Sequence, residues 1–198
     1  APCKKNDYIT YGVFNHYYKI TDEMLLAWRK IMQQVTTSRL LLKSQLLVSP
    51  SAQEFVWERL KKAGLDIGRI ELEPATNTYM NRYLDVDIAL DTYPYPGGGT
   101  TCDALYMGVP VISMYGSRRG SRFGLSILNN TGLGELAVAN FDDYIERAVG
   151  LAGDYELLDT LHKNLRRMMQ SAPIMDSKKY INELESAYES ILAGIYRF

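Results

Sequence analysis

The sequence predicts an α/β fold, a Rossmann-like doubly wound parallel sheet with extra helices at its C-terminal end. Three observations carry this prediction. Short β-branched or apolar runs alternate with helical periods from residue 8 to residue 139, the order that builds parallel strands joined by crossover helices. Residues 87–114, DIALDTYPYPGGGTTCDALYMGVPVISM, read as strand, glycine loop, helix and strand in direct succession. Beyond residue 140 only helical periods remain. With 198 residues, 46% hydrophobic and 23% charged, the chain is long enough for a sizeable core, and 1–198 is expected to be a single domain.

Each element has a local cause. Residues 8–14 (YITYGVF) are β-branched and aromatic, the first strand. Thr21 can cap a helix that carries Met24, Leu25, Trp28, Ile31, Met32 and Val35 on one face, with Asp22 and Glu23 in its first turn. Arg39 to Lys43 is the second strand. Ser51 and Glu54 have the spacing of a capping box for a helix lined by Phe55, Leu60 and Ala63 and ending at Gly64. Residues 69–73 give the third strand and 77–84 a short helix. Ile88 to Leu90 form the next strand, closed by Asp91. Pro94 and Pro96 then prevent regular structure, Thr100 and Thr101 open a helix that ends near Gly108, and Val109 to Met114 return as a strand. Ser121 to Asn130 is expected to be helical, and Leu136 to Ala139 a short last strand. Asn140 caps a helix with Tyr144, Ile145, Ala148 and Val149, and Asp154 starts another with Leu157, Leu158, Leu161, Leu165 and Met168. Pro173 breaks that helix. Asp176 begins a closing one with Tyr180, Ile181, Leu184, Tyr188 and Ile191, within a closing segment 174–198.

Several function classes are excluded at this level. A formal net charge of −1 gives no electrostatic case for nucleic acid or an anionic membrane surface. No apolar run approaches the roughly 20 residues of a membrane span, and no signal-peptide pattern is present. Cys3 and Cys102 form neither a disulfide framework nor a metal-spaced set, which suits a reducing, cytoplasmic compartment. The opening Ala-Pro-Cys without Met leads us to expect a piece of a longer protein.

Candidate chemistry centres on the glycine loop. Gly97, Gly98 and Gly99 followed by Thr100 and Thr101 exceed what a tight turn requires, and loop amides with a helix N-terminus make an anion site. The spacing is neither G-x-G-x-x-G nor a Walker A motif. Asp103 stands three residues after Thr100, where spacing alone favours the acidic half of a cap over a ribose-binding carboxylate. Lys19 follows the first strand, where a topological switch would bring it near the loop as a point charge for a diphosphate. His16 could hydrogen-bond a substrate and Tyr79 could stack on a base, while His162 carries no assigned role. No Ser/His/Asp, Cys/His or metal constellation can be built from these spacings.

The segment LDTYPYPGGGTTCDALYMGVPV, then Ser121-Arg122-Phe123-Gly124 and Gly132-Leu133-Gly134-Glu135-Leu136, resembles the C-terminal catalytic lobe of the O-GlcNAc transferase and SPINDLY family. FNHYYKI at 14–20 resembles the family's F-N-x-x-x-K-I element, and KKYINELESAYESI its closing helix. These are inverting glycosyltransferases of the two-lobed GT-B type. The resemblance implies a single C-terminal GT-B lobe that binds a nucleotide-sugar donor, UDP-GlcNAc, without metal or other cofactor. It implies that Lys19 contacts the diphosphate and helps the leaving group depart, with Asn15 and His16 flanking it. Gly97 to Thr101 match the diphosphate loop, Asp103 the carboxylate that holds the ribose, and Tyr79 falls near the base-stacking position.

This chain departs from the pattern at Pro96 and Gly98, which replace loop side chains that donate hydrogen bonds, and at Arg119 and Gly120 before the Ser-Arg element. These departures leave open a related transferase using GDP-fucose or UDP-glucose. The rival of another class is a non-catalytic nucleotide-binding or scaffolding module, against which the retained Lys19, Gly97 to Thr101 and Asp103 argue. The family's N-terminal lobe, with its tetratricopeptide repeats and most of the protein or peptide acceptor site, is not in this sequence. The isolated lobe is therefore expected to bind donor without transferring it. Its last helix and aromatic faces should be partly uncovered, so a homo-oligomer is a further expectation.

Overall fold

The computed structural model describes residues 1–195. Six strands, β1 (Thr10–Val13), β2 (Arg39–Ser44), β3 (Ile70–Pro74), β4 (Ile88–Leu90), β5 (Val111–Met114) and β6 (Ala137–Val138), form one sheet in the order β3-β2-β1-β4-β5-β6. Every pairing is parallel. β1, β4 and β5 are buried at every position, as expected of central strands covered on both faces. That is why they read as apolar runs without alternation.

The helices are α1 (Cys3–Asn6), α2 (Asp22–Gln34), α3 (Pro50–Lys62), α4 (Gly99–Tyr106), α5 (Phe123–Asn130), α6 (Phe141–Ala152), α7 (Tyr155–Ser171) and α8 (Ser177–Ile195). α2 and α3 connect β1 to β2 and β2 to β3, and α4 and α5 connect β4 to β5 and β5 to β6; the right-handed rule for such crossovers puts the two pairs on opposite faces of the sheet. α6 returns to pack on α2, β4 and β5. Its Tyr144 hydroxyl accepts from Trp28 Nε1 at 3.4 Å and donates to the Asp91 carbonyl at 2.9 Å, joining α2 to the end of β4. The sequence caps hold at Thr21, Asn140 and Asp154, whose side chains accept from Met24, Asp143 and Leu157 amides.

Several expectations need correction. Ser51 caps nothing: α3 starts at Pro50, whose fixed φ and missing N–H suit the first helical position, and Ser51 lies inside the helix. Phe55 is accordingly 56% exposed and Val56 faces the core in its place, while Leu60 is buried as expected. The segment 77–84 is a 3₁₀ helix over Tyr79–Asp85, and α1 was not anticipated at all. In α7 the buried stripe is Leu158, Leu165 and Met169, with Leu157 turned to solvent. The closing helix runs as expected, and Tyr180, Ile181, Tyr188 and Ile191 are exposed on it. Residues 196–198 of the closing segment 174–198 lie outside the described residues.

His162 turns out to be a fold residue. Its Nε2 donates to the Asp87 carbonyl at 2.9 Å, tying α7 to the entry of β4. Beside it Gly108, at φ +89°, has no room for a side chain, because a Cβ would lie 2.7 Å from the His162 carbonyl oxygen. Burial holds the His162 imidazole below the ordinary histidine range. A base depressed in the fold is neutral there, whereas the unfolded chain takes up its proton near 6.5. Stability from this group is therefore complete above pH 6.5 and is lost as pH falls below it. Urea melts at pH 7.5 and 5.5 should show a drop on acidification that is smaller in His162→Gln; equal drops in the two proteins would contradict this.

Candidate functional site

The strand order reverses between β1 and β4, and ligand crevices of doubly wound sheets open at that switch point, outside the carboxyl ends of the strands. The loop after β1 carries Asn15, His16 and Lys19. The loop after β4 carries the prolines and glycines. These two loops meet.

Asp91 organises the meeting. It is fully buried, and its Oδ1 accepts from the Gly97 amide at 2.7 Å, the Thr92 amide at 2.9 Å and Asn15 Nδ2 at 2.8 Å. Its Oδ2 accepts from Ser113 Oγ at 2.7 Å. Burial pushes the Asp91 pKa up, and the four donors pull against that rise. Asn15 extends the network: its Nδ2 also donates to Thr92 Oγ1 at 2.7 Å, and its Oδ1 accepts from Thr100 Oγ1 at 2.7 Å. Asn15 thus fixes both ends of the glycine loop. Gly97 and Gly124 are glycines for a packing reason. A Cβ on Gly97 would lie 2.5 Å from Thr100 Oγ1, and one on Gly124 would overlap Ser113 Oγ. The Gly of the Ser-Arg-x-Gly element is therefore explained by its seat against the Asp91–Ser113 pair.

Gly98 and Gly99 differ. A Cβ at either would meet nothing within 4 Å, and neither has positive φ. The fold itself does not demand glycine there. Gly98 stands at the N-cap of α4 with no side-chain cap, so the first-turn amides of the helix face outward without side-chain partners. An anion could approach these amides closely, with the positive end of the helix behind them.

Lys19 reaches this loop from 77 residues away in sequence, its Nζ donating to the Pro96 carbonyl at 3.2 Å and lying 4.4 Å from the Tyr95 ring centroid. Burial lowers the Lys19 pKa, and the Asp91 charge opposes that fall. Asp103 does not cap α4. Its Oδ2 accepts from the Tyr79 hydroxyl at 2.8 Å, so the two residues expected around a nucleoside stand side by side. The spacing argument for a cap fails because Thr100 turns its hydroxyl to Asn15. His16 is exposed, and its carbonyl accepts from the Lys19 amide at 3.0 Å. Its imidazole makes no hydrogen bond among the described residues.

A parallel six-stranded sheet in this order, with its loops gathered at the switch point, is a doubly wound Rossmann-like lobe, the fold found in each half of a GT-B type glycosyltransferase. The chain belongs to glycosyl transferase family 41, whose family model matches residues 4–184. It is 39% identical over 194 residues to a probable UDP-N-acetylglucosamine–peptide N-acetylglucosaminyltransferase SPINDLY of Eustoma exaltatum subsp. russellianum, covering 96% of this chain and 21% of that protein. The protein of the same name from Arabidopsis thaliana is 37% identical with the same coverage. This chain therefore spans about a fifth of the length of these relatives. Among solved structures, a mutant of the Thermobaculum terrenum O-GlcNAc transferase superposes with a TM-score of 0.85 at 36% identity, over 91% of this chain and 35% of that one. At 14% identity, Staphylococcus aureus TarM shares the fold, with a TM-score of 0.68. None of the described helices is long and apolar enough to cross a membrane.

Proposed function

We propose that this chain is the donor-binding lobe of an inverting protein O-glycosyltransferase that uses UDP-GlcNAc. One observation carries the reading: Lys19 and the uncapped N-terminus of α4 meet at one sheet edge, beside two glycines that the fold does not require. In the reaction an acceptor hydroxyl attacks the anomeric carbon, the bond from that carbon to the β-phosphate oxygen breaks, and UDP leaves with the electron pair. Negative charge then grows on the diphosphate. The α4 amides and the Lys19 ammonium stabilise it there without a metal ion. Asp103 takes the ribose hydroxyls, held in place by Tyr79, whose ring lies beside the base. His16, exposed at the same rim, is available to the donor. The acceptor's binding site and the base that takes its hydroxyl proton belong to parts of the enzyme outside this chain.

Calorimetry tests the reading: the chain should bind UDP and transfer no sugar alone. A folded chain that binds neither UDP nor GDP at millimolar concentration would sink it, and a preference for GDP would move it to a different donor.

The glycines offer a sharper test. Gly97→Ala should cost about 1–3 kcal/mol of stability through its clash with Thr100 and Thr101. Gly99→Ala, at the first helical position, should leave stability unchanged or raise it by up to ~1 kcal/mol. Yet it should weaken UDP about tenfold by filling the approach to the amides. A Gly99→Ala protein that binds UDP like the parent would remove these amides from the site.

A further inference from the structure

The connection from β5 to α5, residues 115–122 (YGSRRGSR), leaves the same sheet edge as the glycine loop. It exposes Arg118, Arg119 and Arg122 within five positions. Among the described residues none of these three lies within ion-pair distance of a carboxylate, whereas Arg59, Arg69 and Arg82 are each paired. The loop is nonetheless well braced. Ser121, 5% exposed, donates its hydroxyl to the Arg118 carbonyl at 2.7 Å, and the Ser121 amide donates to the same carbonyl at 3.0 Å. The Arg122 amide donates to the Arg119 carbonyl at 3.1 Å, and Arg122 Nη1 donates to the Gly116 carbonyl at 3.2 Å. Gly116 packs against the Tyr93 hydroxyl of the preceding loop, where a Cβ would lie 2.9 Å away. The guanidiniums are therefore displayed on a fixed turn that abuts the loop following β4.

We infer that Arg118 and Arg119 form a recognition surface for an acidic segment of the acceptor protein, alongside the donor pocket; this rests on the transferase reading above. Charge complementarity selects the occupant. Unpaired, solvated guanidiniums on a braced loop present forked donors that match Asp and Glu carboxylates. A chain with 22 basic and 23 acidic residues gives no broad positive field for nucleic acid. Ordering so short a braced turn costs little on binding. Phe123, 49% exposed and next in sequence to Arg122, adds an apolar contact beside the charges.

The test uses the chain as it is, with fluorescence anisotropy in low salt and saturating UDP. The probes are a serine peptide flanked by Asp and Glu and the same peptide flanked by Asn and Gln. The proposal expects the acidic peptide to bind about tenfold tighter, with the preference falling as salt rises. Arg118→Gln/Arg119→Gln should abolish the preference while UDP affinity stays within about twofold of the parent. Arg147→Gln, an exposed arginine on α6, should leave the preference intact. Equal binding of the two peptides, no binding of either, or a preference that survives the double substitution would overturn the proposal. So would a double variant that loses UDP as well, since the arginines would then belong to the donor site. Equally tight binding of heparin through the same arginines would mark a general polyanion surface and also overturn it. The transferase reading fails separately, through loss of UDP binding by the parent chain.

Discussion

Lys19→Ala is expected to weaken UDP binding about thirtyfold while the protein melts within a few degrees of the parent. A charge-assisted hydrogen bond from an ammonium to a phosphate contributes ~2 kcal/mol, and about 1.4 kcal/mol is a factor of ten. Against this, Lys19 gives the fold little. It makes one hydrogen bond to the Pro96 carbonyl and sits over the half-exposed ring of Tyr95. Together these are worth ~1 kcal/mol, or about 2–4 °C in a protein of this size. The asymmetry between binding and stability is what identifies a ligand residue. Calorimetry with UDP and a thermal melt on the same sample separate the two. If Lys19→Ala binds UDP like the parent, Lys19 leaves the site; if it melts far lower with proportionate loss of binding, it is a structural residue.

Asp91→Ala should be the most damaging single change near the site, lowering stability by about 3–5 kcal/mol. It strips the partner from the Gly97 and Thr92 amides, Asn15 Nδ2 and Ser113 Oγ in a buried setting. Each orphaned buried donor carries a desolvation cost of ~1–3 kcal/mol. At about 2–4 °C per kcal/mol, the melting temperature should fall by roughly 6–20 °C. Asp91→Asn keeps the shape but faces an amide nitrogen or a single acceptor oxygen toward donors, and should fall between alanine and parent. UDP affinity should follow stability in this series, unlike in Lys19→Ala. A mild melt for Asp91→Ala would contradict the role given to Asp91.

The sheet and the loop were legible because their signals are local. Short apolar runs mark β4 and β5, the first closed by Asp91 and the prolines beyond it, and Thr21, Asn140 and Asp154 cap their helices within three residues. Two local readings failed, one to a local rival and one to a distant one: Pro50 outcompetes Ser51 as the start of α3, and Asn15, 85 residues away, draws the Thr100 hydroxyl away from a cap with Asp103. Asp91 was read only as the end of a strand. Its two side-chain partners lie 76 residues upstream at Asn15 and 22 downstream at Ser113, and no spacing rule connects them. His162 was passed over for the same reason, since its partner, the Asp87 carbonyl, is 75 residues away. The switch-point argument set Lys19 near Gly97 to Thr101, and the resemblance to a family added the nucleotide-sugar role for the pair.

The most direct measurement is a crystal of this chain soaked in turn with UDP, UDP-GlcNAc and GDP. The account expects the diphosphate of UDP against the amides of Gly98, Gly99 and Thr100, with Lys19 Nζ moved from the Pro96 carbonyl to a phosphate oxygen and the ribose on Asp103. A nucleotide seated elsewhere, such as the polar cleft at the amino ends of β1, β2 and β3 lined by Arg39, Arg69 and Arg82, or an empty glycine loop at saturating UDP, would contradict it.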